Sequence, residues 1–179
     1  MSETARSRDR LCQFVEYNWL GVDVGYGGDP FLPDSICFDL PTPYTKVGHH
    51  PQHLAGDCRA LPFLDGSLDY IYSSHLIEDF YYHEQVEIIF HWATKLQFGG
   101  RLLLVAPDQP KFLQHCKNTG QPTNAAHKEP DYTFGNFVQR VLLPVNQRLY
   151  PVVLDRIYGV EDIDDYSWEL VLEKTKVRT

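Results

Sequence analysis

Short runs of apolar residues alternate with amphipathic segments along this chain. The apolar runs predict six strands, at residues 19–24, 35–40, 68–73, 101–106, 152–158 and 167–173. Apolar residues at helical spacing predict helices at 83–97 and 134–143, and a third helix is expected to begin at Asp108 or Gln109 and to end near Lys117. Strands that alternate with helices predict an α/β, doubly wound sheet, completed by an antiparallel C-terminal hairpin with its turn at 162–165.

The first predicted strand ends in a glycine-rich turn that contains Gly25 and Gly27. Glycines at the carboxyl end of a buried strand let a ligand approach the backbone closely, and this edge of an open α/β sheet is where ligands bind. A tight turn that binds nothing is the alternative, and both interpretations remain open on these residues. Because only residues 25–34 separate the first two strands, we expect the helix between them to be reduced to a turn.

Three further predictions concern the ends of these elements. Residues 1–10 are charged and are expected to be frayed, and residues 11–18 are compatible with either a short helix or an extended segment. Gly99 and Gly100 are interpreted as the C-cap of the helix that precedes them. Residues 41–54 are rich in proline and histidine and are predicted to form a loop.

Composition indicates one globular domain. The 179 residues are 43% hydrophobic and 13% aromatic, which is enough to fill one core. A formal net charge of −8 and a pI of about 5.4 argue against nucleic acid or an anionic membrane as partners, because both attract clustered Lys and Arg. The polar N-terminal stretch does not resemble a secretory signal, and no apolar run reaches the roughly 18 residues of a membrane helix. We therefore expect a cytoplasmic protein.

Cysteine and histidine spacing gives little support to a metal site. Cys12, Cys37, Cys58 and Cys116 never form a C-x-x-C pair, so reduced thiols are expected rather than a zinc site or a disulfide framework. Residues 49–53 have the spacing H-H-x-x-H, and no fourth ligand is evident. The prediction from sequence is that the chain holds no metal.

An ordered series of motifs runs from the first strand to the fourth. Asp23-Val24-Gly25-Tyr26-Gly27 follows the first strand and Asp39 ends the second. Further motifs stand at residues 56–57 (GD), 61–63 (LPF), 65–69 (DGSLD), 73–75 (SSH) and 98–101 (FGGR). The series resembles class I S-adenosylmethionine-dependent methyltransferases of the small-molecule type, from residue 20 to about 107 and more loosely to 174. The resemblance implies a Rossmann-like sheet of about seven strands, S-adenosyl-L-methionine as cofactor and an unidentified small-molecule substrate.

The resemblance also implies which residues contact the cofactor. Gly25 and Gly27 would let the backbone approach its methionine part, and Asp39 would accept hydrogen bonds from both ribose hydroxyls. Asp57 would accept a hydrogen bond from the adenine amino group, with the backbone of Cys58 near the edge of the ring.

Two more residues, Asp23 and Ser73, belong to the implied cofactor site. Asp23 would anchor either the glycine turn or the cofactor's amino group, and an acid satisfied by nearby backbone amides is the alternative. Ser73 begins the Ser-Ser-His motif after the third predicted strand. The chain departs from the family at Tyr26, where a small residue or cysteine is common, and at Asp79, where a second histidine is frequent.

A nicotinamide dinucleotide site is a competing interpretation of the glycine turn. That fingerprint is G-x-G-x-x-G, followed by an acid about 20 residues on. Gly25 and Gly27 fill the first two places, but Pro30 takes the third, and Asp39 follows Gly25 by only 14 residues. Since a proline fits poorly where a helix should pack against the strand, we reject the dinucleotide interpretation.

His75 and Asp108 are the candidate catalytic residues. Methyl transfer from a sulfonium needs mainly in-line positioning, but a hydroxyl or acidic carbon acceptor also needs a base. His75 would be that base, with Asp79 four residues later as its orienting acid, and a histidine that only stabilises a helix start is the alternative. Asp108 would either act in catalysis or cap the next helix.

The acceptor side of the site is less well specified by the sequence. The segment at residues 110–131 is expected to form a lid over the acceptor. A second hypothesis is a catalytically inactive methyltransferase-like binding or scaffold protein, which the shortened first helix motivates. Aminopropyl transfer from a decarboxylated cofactor has no separate sequence signal.

Overall fold

Seven strands form one mixed sheet in the computed structural model, which describes residues 3–43 and 48–177. The strand order is β3-β2-β1-β4-β5-β7-β6. The strands are β1 (Gly21–Val24), β2 (Ile36–Asp39), β3 (Leu54–Ala55), β4 (Leu68–Ser74), β5 (Leu96–Pro107), β6 (Val152–Ile163) and β7 (Ser167–Lys176). β7 runs antiparallel to both of its neighbours, and β1 to β5 pair in parallel. The predicted α/β sheet with an antiparallel C-terminal hairpin is confirmed.

Helices cover both faces of this sheet. The helical segments are α1 (Glu3–Leu11), α2 (Tyr82–Lys95), α3 (Gln109–Thr119), α4 (Phe134–Phe137), a π-helical turn (Val138–Leu142) and α5 (Leu143–Leu149). One face packs against α2, α4, the π-helical turn and α5, and the other against the end of α1 and the residues that follow it. Within the residues described, no helix has both the length and the apolar character needed to cross a bilayer.

Side-chain alternation along β4 and β5 divides the core between the two faces. Ile71 and Leu102 belong to the larger cluster, whereas Tyr70, Tyr72 and Leu103 belong to the smaller one. Successive residues of a strand point to opposite faces, so these two central strands are apolar on both sides. This explains why both appear in the sequence as continuous apolar runs.

The N-terminal segment is ordered, so the expectation that residues 1–10 are frayed was wrong for the described part. The α1 helix covers the face of the sheet beside the turn at residues 25–35, which contains no helix and thereby confirms the predicted reduction. Ser7 Oγ lies 2.7 Å from Tyr72 Oη, and Arg8 donates to acceptors in that turn. Ser7 and Arg8 are distant in sequence from the residues that they contact, so local sequence patterns do not predict these contacts.

The interpretation of Gly99 and Gly100 as a helix C-cap was also wrong. α2 already ends at Lys95, and both glycines lie within β5. A Cβ on Gly100 would lie 3.0 Å from the carbonyl oxygen of Leu68, so glycine is needed there for close approach to β4. Leu54, the last residue of the predicted loop at 41–54, begins the two-residue strand β3, and residues 44–47 of that loop are outside the described part.

Other element ends agree with the sequence analysis. Asp108 accepts a hydrogen bond from the backbone N–H of Lys111, Pro110 lies in the first turn of α3, and Gly120 ends that helix with φ 74°. The helix predicted at 134–143 continues to Leu149 through the π-helical turn.

We predict that Arg8→Ala lowers the free energy of unfolding by about 1–2 kcal/mol, because it removes charge-assisted hydrogen bonds on a partly exposed side chain. Arg8 donates to the carboxylate of Asp29 and to the carbonyl oxygens of Pro30 and Phe31. Urea denaturation followed by tryptophan fluorescence measures the change. Arg6→Ala removes an exposed arginine of the same helix and is the matched control; an equal loss in both variants would contradict the assignment.

Candidate functional site

A cavity of about 290 Å³ opens beyond the carboxyl ends of β1, β2 and β4. β1 pairs with β2 on one side and β4 on the other, which makes it the point where the strand order reverses. Ligands of open α/β sheets bind at this switch point. The residues that line the cavity are Val24, Gly25, Phe38, Asp39, Leu40, Gly56, Asp57, Cys58, Arg59, Leu76, Asp79, Phe80, Ala126 and Lys128.

Asp39 stands at the end of β2 with its carboxylate held by two backbone N–H groups. One oxygen accepts from Gly27 at 3.2 Å and the other from Leu40 at 2.7 Å. Partial burial raises the pKa of Asp39, and these two hydrogen bonds oppose the rise. Asp39 therefore ties the glycine turn to β2 while it lines the cavity.

The two glycines of the turn have different positions. Gly25 lines the cavity with φ 73°, and a Cβ there would lie 3.0 Å from Leu76 Cδ2. Gly27 does not line the cavity, and its N–H is directed to Asp39. Tyr26, the residue between them, is buried and donates its hydroxyl to the carbonyl oxygen of His50. The Tyr26 side chain is thus held against the loop that contains His50.

Asp57 and Cys58 line the cavity where a single 3₁₀ turn at Cys58–Ala60 begins, with Asp57 as its N-cap. The Asp57 carboxylate caps this turn and binds the Arg59 guanidinium, with a closest N–O distance of 2.6 Å. This pairing lowers the pKa of Asp57. The carbonyl oxygen of Cys58 accepts the indole N–H of Trp92 at 2.8 Å, and burial raises the pKa of the thiol to about 12. A thiol in this environment is a poor nucleophile.

Asp23 and Ser73 lie behind the cavity and do not line it. The buried carboxylate of Asp23 accepts the backbone N–H of Phe31 at 2.7 Å, and burial raises its pKa to about 8. Ser73 is also buried and donates its hydroxyl to the carbonyl oxygen of Val24 at 3.0 Å. The Asp23 side chain thus connects β1 to the turn at residues 25–35, and the Ser73 side chain connects β4 to β1; both contacts lie next to the cavity.

The acid that the structure places beside His75 is Glu78, three residues on, and the pairing of His75 with Asp79 stays a prediction. His75 Nδ1 lies 3.3 Å from Glu78 Oε1, whereas Asp79 lines the cavity. His75 has φ 52° and precedes a 3₁₀ turn at Ile77–Asp79, and this backbone path brings Glu78 beside its ring. The predicted pairing with Asp79 relies on α-helical spacing, which favours a partner four residues away.

The structure adds His127 to this group. Its Nε2 lies 3.7 Å from Glu78 Oε1, and its Nδ1 lies 2.6 Å from Gln109 Oε1. Glu78, whose side chain is only 1% exposed, therefore lies between the rings of His75 and His127.

The segment at residues 126–128 lies within the predicted lid at 110–131. Ala126 and Lys128 line the cavity, and the Lys128 N–H donates to the carbonyl oxygen of Glu78 at 3.1 Å. Asp108, at the start of α3, does not line the cavity; its carboxylate is the N-cap described above. The structure therefore brings Gly25, Asp39, Asp57 and Cys58 to one cavity.

Solved structures of low sequence identity share this architecture. A SAM-dependent methyltransferase from Methanosarcina mazei is 14% identical with a TM-score of 0.63, covering 93% of this chain and 97% of that chain. One from Archaeoglobus fulgidus is 15% identical with a TM-score of 0.65, covering 96% and 95%. The fold is that of class I methyltransferases. The resemblance drawn from the motif series is confirmed at the level of the fold.

A third solved structure with the methyltransferase fold is larger than this chain. It is phosphoethanolamine N-methyltransferase 1 of Haemonchus contortus, in complex with phosphoethanolamine and S-adenosylhomocysteine. It is 13% identical with a TM-score of 0.67, and the match covers 97% of this chain and 43% of that chain. No protein family model and no curated protein matches the sequence.

The buried acid behind the cavity predicts a pH-dependent stability. Because the pKa of Asp23 in the folded chain, about 8, lies above the roughly 3.9 of an unfolded aspartate, the folded state binds more protons between these values. The free energy of unfolding should therefore fall as pH rises through this window, by at most about 1.4 kcal/mol per pH unit. Asp23→Asn keeps an oxygen for the Phe31 N–H but cannot ionise.

Urea denaturation of both proteins from pH 5 to pH 8 measures this effect, and the difference between them cancels other titrating groups. We expect a flatter profile for Asp23→Asn, with its largest advantage over the native chain near pH 8. Parallel profiles would show that Asp23 does not contribute in this way.

Proposed function

We propose that this chain is a S-adenosylmethionine-dependent methyltransferase that acts on a small-molecule acceptor. The observation that carries the proposal is the meeting of Gly25, Asp39 and Asp57 in one cavity at the switch point of the sheet. The methyltransferase fold supports it, and one structure of that fold was solved with S-adenosylhomocysteine. The cavity is at the lower end of the roughly 300–1,000 Å³ typical of small-molecule sites.

The residues of the cavity fit an adenosyl group. Asp39 offers carboxylate oxygens at the end of β2, where hydroxyls of a ribose would donate, and Asp57 offers acceptors for an exocyclic amino group. Phe38 and Leu40 contribute apolar surface to the same cavity. Gly25 lines the cavity without a Cβ, and the Leu76 side chain lies 3.0 Å from the point where a Cβ would stand.

When bound, the cofactor supplies an electrophilic methyl group on a sulfonium. The chain would then position the acceptor in line with that methyl group and exclude water around it. Leu76, Phe80 and Ala126 provide apolar surface on the side of the cavity formed by the turn after β4 and the segment at 126–128, and Lys128 and Asp79 of the same segments provide charge. This side is where we place the acceptor.

We propose His75 as the general base for an acceptor that must lose a proton. Glu78 would orient its ring through Nδ1, and the other ring nitrogen lies 3.5 Å from Ser167 Oγ. Since the Asp108 carboxylate caps α3, we assign it a structural role and no proton transfer. Asp79, which lines the cavity, is the competing candidate for the base.

We predict that the native chain binds S-adenosylmethionine and S-adenosylhomocysteine in isothermal titration calorimetry. Asp39→Ala should weaken both at least about tenfold, because a charged acceptor of hydrogen bonds is worth about 1.5–3 kcal/mol. Asp34→Ala removes an exposed acid from the segment before β2 and is the matched control. An absence of binding heat in the native chain, or equal affinity in both variants, would overturn the proposal.

A separate prediction tests the acid–base group. S-adenosylhomocysteine release is measured by mass spectrometry after incubation of the chain with S-adenosylmethionine and a fractionated metabolite extract. His75→Gln should lower turnover by about 10²–10⁴-fold, and Glu78→Gln by less, while cofactor affinity stays unchanged. The control His83→Gln alters an exposed histidine in α2. If Asp79→Asn loses turnover and His75→Gln does not, the base is Asp79.

A cofactor-binding protein without turnover is the second candidate function. The observation that favours it is the Leu76 side chain, which lies directly against the position of a Gly25 Cβ, where the methionine part of the cofactor is expected. Cofactor binding by calorimetry together with no S-adenosylhomocysteine release from any extract fraction would support this candidate over the enzyme.

A further inference from the structure

A loop at residues 48–53 is fixed against β2 and the glycine turn by backbone contacts. Three of its N–H groups donate at 3.0–3.1 Å: Gly48 to Gly27, His50 to Gly28 and His53 to Cys37. A Cβ on Gly48 would lie 2.0 Å from the carbonyl oxygen of Gly28, so the two segments touch backbone to backbone. The positions of the loop histidines relative to β2 are therefore set by main-chain geometry.

This docking brings three potential metal ligands together. The donor atoms of Cys37, His50 and His53 all lie within 4.8 Å of one another. Cys37 Sγ is 3.6 Å from His50 Nδ1. Zn–S and Zn–N bonds of about 2.3 and 2.0–2.1 Å at a tetrahedral angle separate sulfur from nitrogen by about 3.5 Å, so this pair already has the spacing of two zinc ligands.

We propose that Cys37, His50 and His53 bind a zinc ion that joins β2 to the loop at 48–53. One thiolate and two imidazoles are a donor set that suits Zn²⁺. His53 is exposed and His50 is partly so, and a water molecule would complete the tetrahedron from that side. The sequence analysis considered His49, His50 and His53; the structure replaces the exposed His49 with Cys37 and thus adds a sulfur ligand.

Binding would exchange hydrogen bonds for coordinate bonds. Without an ion, His53 Nδ1 accepts the backbone N–H of Cys37 at 3.0 Å, and His50 Nδ1 lies 3.0 Å from the carbonyl oxygen of Pro51. Burial raises the pKa of the Cys37 thiol to about 11, so the ion must displace the thiol proton, which passes to the buffer. Each of these hydrogen bonds is a weaker interaction than the bond to zinc that replaces it.

The ion would cross-link β2 to the loop at 48–53, in a part of the fold that has little regular secondary structure. Residues 25–35 contain no helix, and neither do the described residues between β2 and β3. The same loop contacts the cavity wall, because the Gln52 side chain donates to the carbonyl oxygens of Asp39 and Leu40. A zinc ion at Cys37 would hold this loop next to the wall that contains Asp39.

The test uses Co²⁺ as a spectroscopic substitute for Zn²⁺ in the purified full chain, stripped with a chelator and kept reduced. We expect one equivalent of Co²⁺ to produce visible bands of tetrahedral intensity and a near-ultraviolet thiolate-to-cobalt band. Zn²⁺ should bleach both on displacement and raise the melting temperature. Neither readout depends on S-adenosylmethionine, so failure of this proposal and failure of the proposed function are separable.

Matched variants locate the ion. Cys37→Ser should abolish the thiolate band, and His50→Ala and His53→Ala should each weaken Co²⁺ binding at least about tenfold. Cys12→Ser and His49→Ala should leave both unchanged. Circular dichroism checks that each variant is folded, and the histidine variants serve if Cys37→Ser is not. Absence of the thiolate band in the native chain, or its persistence in Cys37→Ser, would overturn the site.

Discussion

The hydrogen bond from the Phe31 N–H to the buried Asp23 carboxylate closes the turn that stands where a helix would follow β1. Phe31 then stacks on Tyr72 with ring centroids 4.1 Å apart, and Arg8 of α1 binds the same turn from outside. The face of the sheet beneath this turn is therefore covered without a helix of its own. The same turn places Gly25 at the cavity. The conformation of the candidate site therefore depends on Asp23, although Asp23 does not line the cavity.

Charge in the cavity is arranged through backbone contacts and one ion pair. Asp39 is held by the Gly27 and Leu40 amides, and Asp57 by Arg59. The first carboxylate is partly desolvated and the second is stabilised by a guanidinium, so their pKa values move in opposite directions. The two aspartates would therefore provide hydrogen-bond acceptors of different basicity to a bound ligand.

The group formed by His75, Glu78 and His127 connects two segments that border the acceptor side. Glu78 is buried between the histidines, and its carbonyl oxygen accepts the Lys128 N–H. The turn after β4 and the segment at 126–128 are therefore coupled by both side chains and backbone. A displacement of either segment would disturb the buried carboxylate, for which burial without a partner is costly.

The sequence by itself determined six of the seven strands, the helices between β4 and β6, the glycine turn, the acid at the end of β2 and the cap of α3. These features are local, because they follow from apolar runs, side-chain spacing and residues with special backbone preferences. Tertiary structure alone decided that α1 is ordered, that Gly100 serves strand contact, that His75 faces Glu78, and that Cys37 joins the loop histidines. Three of these features depend on contacts between residues that are distant in sequence. The contact of His75 with Glu78 depends instead on the positive φ of His75 and the 3₁₀ turn that follows it, which side-chain spacing alone does not predict.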